Sequence, residues 1–199
     1  MNFCSRGTGK VPDVVFNNAA VCVEGNTADV LKSTLDVNYY GALRVARAFN
    51  SMGQGESGCR TVINISSGDG ELTYLSSHLQ QAFERVNTLD QIDDLLKRIA
   101  QNHATDMSEI AFGPTPAYSL SKAAMNAMTR VTGTSGACHE FANTRVIAVC
   151  PGDVDTAMCT DLANAISPLG AADDVVWAAF HTGDCPSGGF FRARCPIPW

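Results

Sequence analysis

Three short apolar runs most constrain this chain, because each ends in a polar turn and each is followed by helical sequence. Residues 14–16 run into Asn17, Asn18, Ala19 and Ala20. Residues 61–65 run into Ser66, Ser67 and Gly68, and residues 145–149 lead to Pro151 and Gly152. Short β-rich runs of this kind read as buried strands. Residues 27–52 carry Leu35, Tyr39, Leu43, Ala46 and Phe49 at helical spacing, until Gly53, Gly55 and Gly58 stop the helix. A long helix is expected from about 117 to 141, and another over 173–180. Strands alternating with helices imply an α/β fold, a Rossmann-like parallel sheet with helices on both faces. Ligands of such sheets bind outside the carboxyl ends of the strands, so the three polar turns mark one candidate site edge.

Residues 71–113 break the alternation. Leu79 and Phe83 pair at i,i+4, and Leu89, Ile92, Leu95, Leu96 and Ile99 form an amphipathic stripe with Thr88 as a candidate cap. This reads as an inserted helical hairpin within a single domain spanning 1–199. The tail from 186 to 199 is Gly- and Pro-rich and carries no strand prediction.

Composition excludes several function classes. Fourteen basic against twenty acidic residues give a net charge of −6, which argues against nucleic-acid partners and anionic membranes. No apolar run reaches the length of a membrane span, and residues 1–10 contain no signal-peptide core. Cytoplasmic residence is expected, with the eight cysteines as reduced thiols because none has C-x-x-C or zinc spacing. No metal site is expected. No His lies in a motif and no G-x-S-x-G occurs, which sets a serine hydrolase aside.

Tyr118 and Lys122 are four apart at a predicted helix start and share a face. A free tyrosine is a poor acid or base near neutrality, and a neighbouring ammonium favours its ionised form. A surface contact would give the same spacing. Ser67 sits on the predicted site edge, where a hydroxyl can donate to a substrate oxygen or merely bond its own turn. Asn38 lies inside a helix, where asparagine is a mediocre choice that calls for a reason.

Together these residues resemble the short-chain dehydrogenase/reductase family. The matching text is Asn17-Asn18-Ala19-Ala20, Asn38 in Val-Asn-Tyr-Tyr-Gly, Asn64-Ile-Ser-Ser67, Tyr118-Ser-Leu-Ser-Lys122, and Pro151-Gly152-Asp-Val154-Asp-Thr156. The insertion and the closing Gly189-Phe-Phe-Arg resemble the carbonyl reductase-like subgroup. The resemblance implies reduction of a small-molecule carbonyl to an alcohol with NADP, or with NAD. It implies catalytic roles for Asn38, Ser67, Tyr118 and Lys122, with Tyr118 as general acid and Lys122 lowering its pKa. It implies cofactor contacts from Asn18, Ala19, Tyr118, Lys122, Pro151, Gly152, Val154 and Thr156. Gly68, Asp69 and Asp153, expected to line the pocket, differ from what the closest carbonyl reductases carry, and Ala20 stands where the family usually has glycine. It also lacks the first strands and the glycine-rich phosphate turn, so the chain reads as N-terminally truncated, with residues 14–16 left as an apolar sheet edge. A non-catalytic relative that binds a partner is the alternative. The insertion covers a face that family members use to oligomerise, so a monomer is expected.

Overall fold

A computed structural model describes residues 11–53, 60–102, 107, 109–134, 138–159, 162–181 and 183–199. Residues 1–10, expected to hold no signal-peptide core, lie outside them. Five strands form one sheet: β1 (Val14–Asn17), β2 (Arg60–Ile65), β3 (Thr144–Cys150), β4 (Phe190–Arg192) and β5 (Cys195–Pro196). They lie in chain order, parallel from β1 to β4, with β5 antiparallel to β4. In register, Asn17 stands beside Asn64 and Asn64 beside Ala148, so the first three strands end together. β1 pairs with β2 alone among the described residues and forms the sheet edge. β4 and β5 were not anticipated: three residues between glycines and prolines are too short to show a period.

Helices cover both faces. Val62 and Val146 join the larger core with α1 (Ala28–Leu35), α2 (Ala42–Ser51), α3 (Ser77–Arg85), α4 (Leu89–Asn102) and α5 (Pro116–Gly133). Ile63 and Ile147, one residue on and so pointing the other way, pack with Ala178 and Ala179 of α6 (Pro168–Phe180). α6 begins earlier than expected because Ser167 caps it, accepting from the Gly170 N–H, and Pro168 takes the first turn. α5 ends earlier, at Gly133, where a Cβ would come within 2.5 Å of the Gly188 backbone. The expected continuation to 141 is instead a separate 3₁₀ turn at His139–Phe141.

Between α1 and α2 the helix widens to a π-helical stretch, Asp36–Gly41. The Asn17 side chain reaches the first carbonyl of α2, Ala42 O, at 3.1 Å and also donates to Asn64 at 2.8 Å. Asn64 donates in turn to Thr129 of α5 at 2.8 Å. One polar chain thereby fixes α2, β1, β2 and α5 relative to one another, with every member buried and bonded. Thr88 caps α4 as expected, accepting from Gln91 N–H at 3.2 Å. Arg130 of α5 donates to the carbonyls of Phe83 and Val86 at the end of α3, at 2.9 and 2.7 Å. Arg145 of β3 caps the end of α6 on Ala178 O and Ala179 O, both at 2.9 Å, and reaches Cys185 O at 2.8 Å.

Candidate active site

The carboxyl ends of β1, β2 and β3 are continued by the loops that sequence reasoning selected, and the start of α5 packs across them. Pro116 occupies the first helical turn, where its missing N–H costs nothing, and Tyr118 and Lys122 follow on one face. Lys122 is 1% exposed, and its Nζ donates to Ile65 O at the end of β2, 2.7 Å away. Tyr118 is 8% exposed, with the Lys122 nitrogen 5.5 Å from its ring centre. The turn Gly68–Gly70 follows Ser67, whose Oγ accepts from Asp69 N–H at 3.2 Å and also bonds the Tyr118 hydroxyl. Gly70 packs flush on Lys122: a Cβ there would meet the lysine backbone at 2.8 Å. Asn126, one turn further along α5, holds the same segment through Ser66 Oγ and Gly70 O. Ser67, Tyr118 and Lys122 therefore meet at one point of the edge.

Asn38 is fully buried in the π-helical stretch, which accounts for an asparagine inside a helix. Its side chain exchanges two 2.9 Å bonds with the backbone of Val21 and donates to Ser121 Oγ at 2.9 Å. Ser121 passes a bond to Tyr118 O at 2.7 Å. Asn38 thus couples the loop after β1 to the first turn of α5. Asn18 and Ala19 lie exposed in that loop. Pro151, Gly152, Val154 and Thr156 lie in the loop after β3, which opens through Gly152 at φ +77. That loop is braced where Ile166 N–H donates to Asp153 O at 2.8 Å and Asp155 N–H to Ile166 O at 3.0 Å.

Burial dominates the electrostatics of the site. Burial pushes the Tyr118 hydroxyl up to about 12. The Ser67 hydrogen bond opposes that rise, while Asp69 and the thiols of Cys22 and Cys150 add to it. The Lys122 ammonium, 5.5 Å from the centre of the Tyr118 ring, also donates to Ile65 O. Burial lowers Lys122 itself to about 8, with Cys150 and Cys22 countering part of the drop. Asp69 is raised by burial and by the carboxylates of Asp153 and Glu71.

Sequence reasoning missed four neighbours. Cys22 bonds the side chain of Thr115, just before α5. Cys150 ends β3 beside Arg192, its register partner on β4, and bonds it. Arg192 also pairs with Glu71. Arg192 closes the Gly189-Phe-Phe-Arg text noted in the sequence, and the strand β4 brings it to this edge. Cys22, Cys138, Cys150, Cys185 and Cys195 are free thiols. Among the described residues, no cluster of three or more His, Cys, Asp or Glu is placed to hold a metal, and no helix is long and apolar enough to cross a membrane.

No protein-family model matches the chain. Salutaridine reductase of Papaver bracteatum is 30% identical over 172 residues, covering 83% of this chain and 52% of that protein. Short-chain dehydrogenase/reductase 1 of Saponaria officinalis is 29% identical over 178 residues, covering 87% and 57%. The chain thus spans about half the length of the curated relatives it matches. The solved structure of salutaridine reductase from Papaver somniferum superposes with a TM-score of 0.76 at 23% identity, covering 95% of this chain and 75% of that one. An NADPH-bound carbonyl reductase from chicken fatty liver gives 0.68 at 19% identity, covering 96% and 67%. The fold is theirs, the five motifs stand in family order along it, and the chain belongs to the short-chain dehydrogenase/reductase family.

Proposed function

We propose that this chain is the catalytic part of an NADPH-dependent reductase that converts a small-molecule carbonyl to an alcohol. The observation that carries the reading is the convergence of Ser67, Tyr118 and Lys122 at the end of β2. NADPH is preferred over NADH because the similar chicken carbonyl reductase is NADPH-bound. The residues fit the nicotinamide-ribose end of such a cofactor. The buried Lys122 ammonium has three donors and spends one on Ile65 O, which leaves donors for ribose hydroxyls. Asn18, Ala19, Pro151, Gly152, Val154 and Thr156 flank that position on the same edge.

Bound there, the nicotinamide supplies a hydride. The remaining work falls to the protein. Ser67 donates a hydrogen bond to the substrate oxygen and steadies the negative charge that grows on it. Tyr118, with its pKa near 12, is protonated throughout the neutral range and gives its proton to that oxygen. A phenol held neutral suits reduction, since the reverse reaction needs the phenolate as base. The Lys122 ammonium faces the ring and stabilises the phenolate left behind. Asn38 acts through others: it holds the loop after β1 against the helix turn that carries Tyr118.

The test is NADPH oxidation with a ketone panel, comparing the chain with Tyr118→Phe. Loss of a general acid lowers kcat by about 10²–10⁴-fold, with NADPH affinity retained. Equal rates in the variant would defeat the reading. A chain that binds no NADPH would point to the partner-binding alternative.

A further inference from the structure

Ser67 sits in a turn whose own bonds are short-ranged. Gly70 N–H donates to Ser67 O at 3.1 Å, and Glu71 N–H to Gly68 O at 2.9 Å. Those bonds shape the turn but do not seat it on the rest of the molecule. Asn126 of α5 does. Its side-chain oxygen accepts from Ser66 Oγ at 2.5 Å, one residue before Ser67. Its Nδ2 donates to Gly70 O at 3.1 Å, three residues after. Asn126, Ser66 and Gly70 are all buried, so one side-chain amide brackets Ser67 from within the core. Asparagine is a mediocre choice inside a helix, and Asn126 lies well inside α5. As with Asn38, what it holds accounts for it. Both halves of the amide are needed: an aspartate of the same shape has no donor for Gly70 O, and an alanine leaves Ser66 Oγ and Gly70 O without this partner.

Tyr118, Lys122 and Asn126 stand four residues apart and share a face of α5. Lys122 takes Ile65 O at the start of the segment, and Asn126 takes the stretch that follows. The turn has little room to slide between its neighbours. A Cβ on Gly70 would meet the Lys122 backbone at 2.8 Å, and one on Gly68 would meet Nη2 of Arg192 at 2.7 Å.

Resting on the carbonyl-reduction reading above, we propose that Asn126 is a positioning residue for the reaction, acting through Ser67: it fixes the turn so that the Ser67 hydroxyl is already in place where charge grows on the substrate oxygen. A donor fixed beforehand needs no rearrangement at the moment of reaction. A displacement of about 1 Å in such a group lowers the rate by about 10²-fold.

The test is a cycle of Ser67→Ala, Asn126→Ala and the double variant, with ketone-dependent NADPH oxidation and NADPH affinity measured for each. Asn126→Ala is expected to lower kcat by about 10–10²-fold with NADPH affinity kept. Once Ser67 is alanine, the same change is expected to add less than about twofold, because residues that act through one another are not additive. A residue that merely stabilises the fold gives the same loss in both backgrounds. Ser66→Ala removes one bond of the bracket and leaves α5 intact; it carries the same cycle, with a milder loss, where Asn126→Ala folds poorly. Amide hydrogen exchange of the 199-residue chain reads the positioning without turnover. The Gly70 and Glu71 amides are expected to exchange about tenfold faster in either variant, while those of β3 keep their rates. If the unaltered chain reduces no ketone, the reduction reading fails, and exchange at Gly70 and Glu71 alone decides whether Asn126 fixes the Ser67 turn. Additive losses in the cycle, an unchanged kcat, or unchanged exchange at both amides overturns the proposal.

Discussion

Lys122 carries an ammonium that water would hydrate freely and that the fold instead encloses. Its pKa falls from 10.5 to about 8, so the folded state disfavours the charged form. The sign follows from proton counting: between those values the unfolded chain binds more protons, and stability rises with pH. Two and a half pKa units correspond to about 3 kcal/mol. Urea melts from pH 7 upward are expected to show stability climbing through the window from about 8 to 10.5, while Lys122→Met is flat there. Parallel profiles would rule out a strained ammonium. Tyr118 acts oppositely at higher pH, since its folded value of about 12 exceeds its ordinary 10 and its contribution is lost as pH rises across that interval. The residue types at this centre were legible in the sequence, because Ser67, Tyr118 and Lys122 each sit where a period changes to a turn or a helix start. The direction of the Tyr118 shift was not, since burial, its largest cause, is set by how the finished fold packs around the ring.

At the level of elements, β2 and β3 were readable because β-branched runs of five or more residues end in unmistakable turns. The π-helical stretch was invisible in periodicity; only Asn38 betrayed it, as a residue out of place. The β4–β5 hairpin was missed, yet its sequence shows how it is made and how it could be improved. Ala193 and Arg194 both adopt positive φ, +48 and +63, so Arg192 and Cys195 are joined by a two-residue turn of the primed kind. Alanine pays a steric penalty there that asparagine largely avoids. Ala193→Asn is expected to stabilise the chain by about 0.5–1 kcal/mol, seen as a higher midpoint in thermal melts. Arg194 is better left alone, because it clasps Asp173 and Asp174 of α6. An unchanged or lower midpoint would mean the turn is held by that clasp and not by its own conformation.

Across the described residues the two faces of the sheet are covered, and none of them pairs with the outer side of β1. Phe16 on that strand is 41% exposed, and Val37 and Val45 on the neighbouring helical segments are exposed too. An edge strand with apolar neighbours is a template for pairing with a second chain. Phe16→Lys is therefore expected to reduce self-association, measured by light scattering over a concentration series, without altering the far-UV circular dichroism. Equal scattering in both proteins would show that the edge is not where copies meet. That residues 14–16 form a sheet edge was anticipated from the family's strand order; the way the rest is tied together was not, because its chief fasteners are arginines that grip helices by their main chain. Arg130 grips α3 by its last carbonyls, and Arg145 does the same for α6. A grip on a helix taken through its main chain is indifferent to which side chains that helix carries. Over generations the outward positions of α3 and α6 are thus free to diverge while both arginines stay, so that a lineage can rewrite the molecule's exterior without disturbing the helix that carries Tyr118.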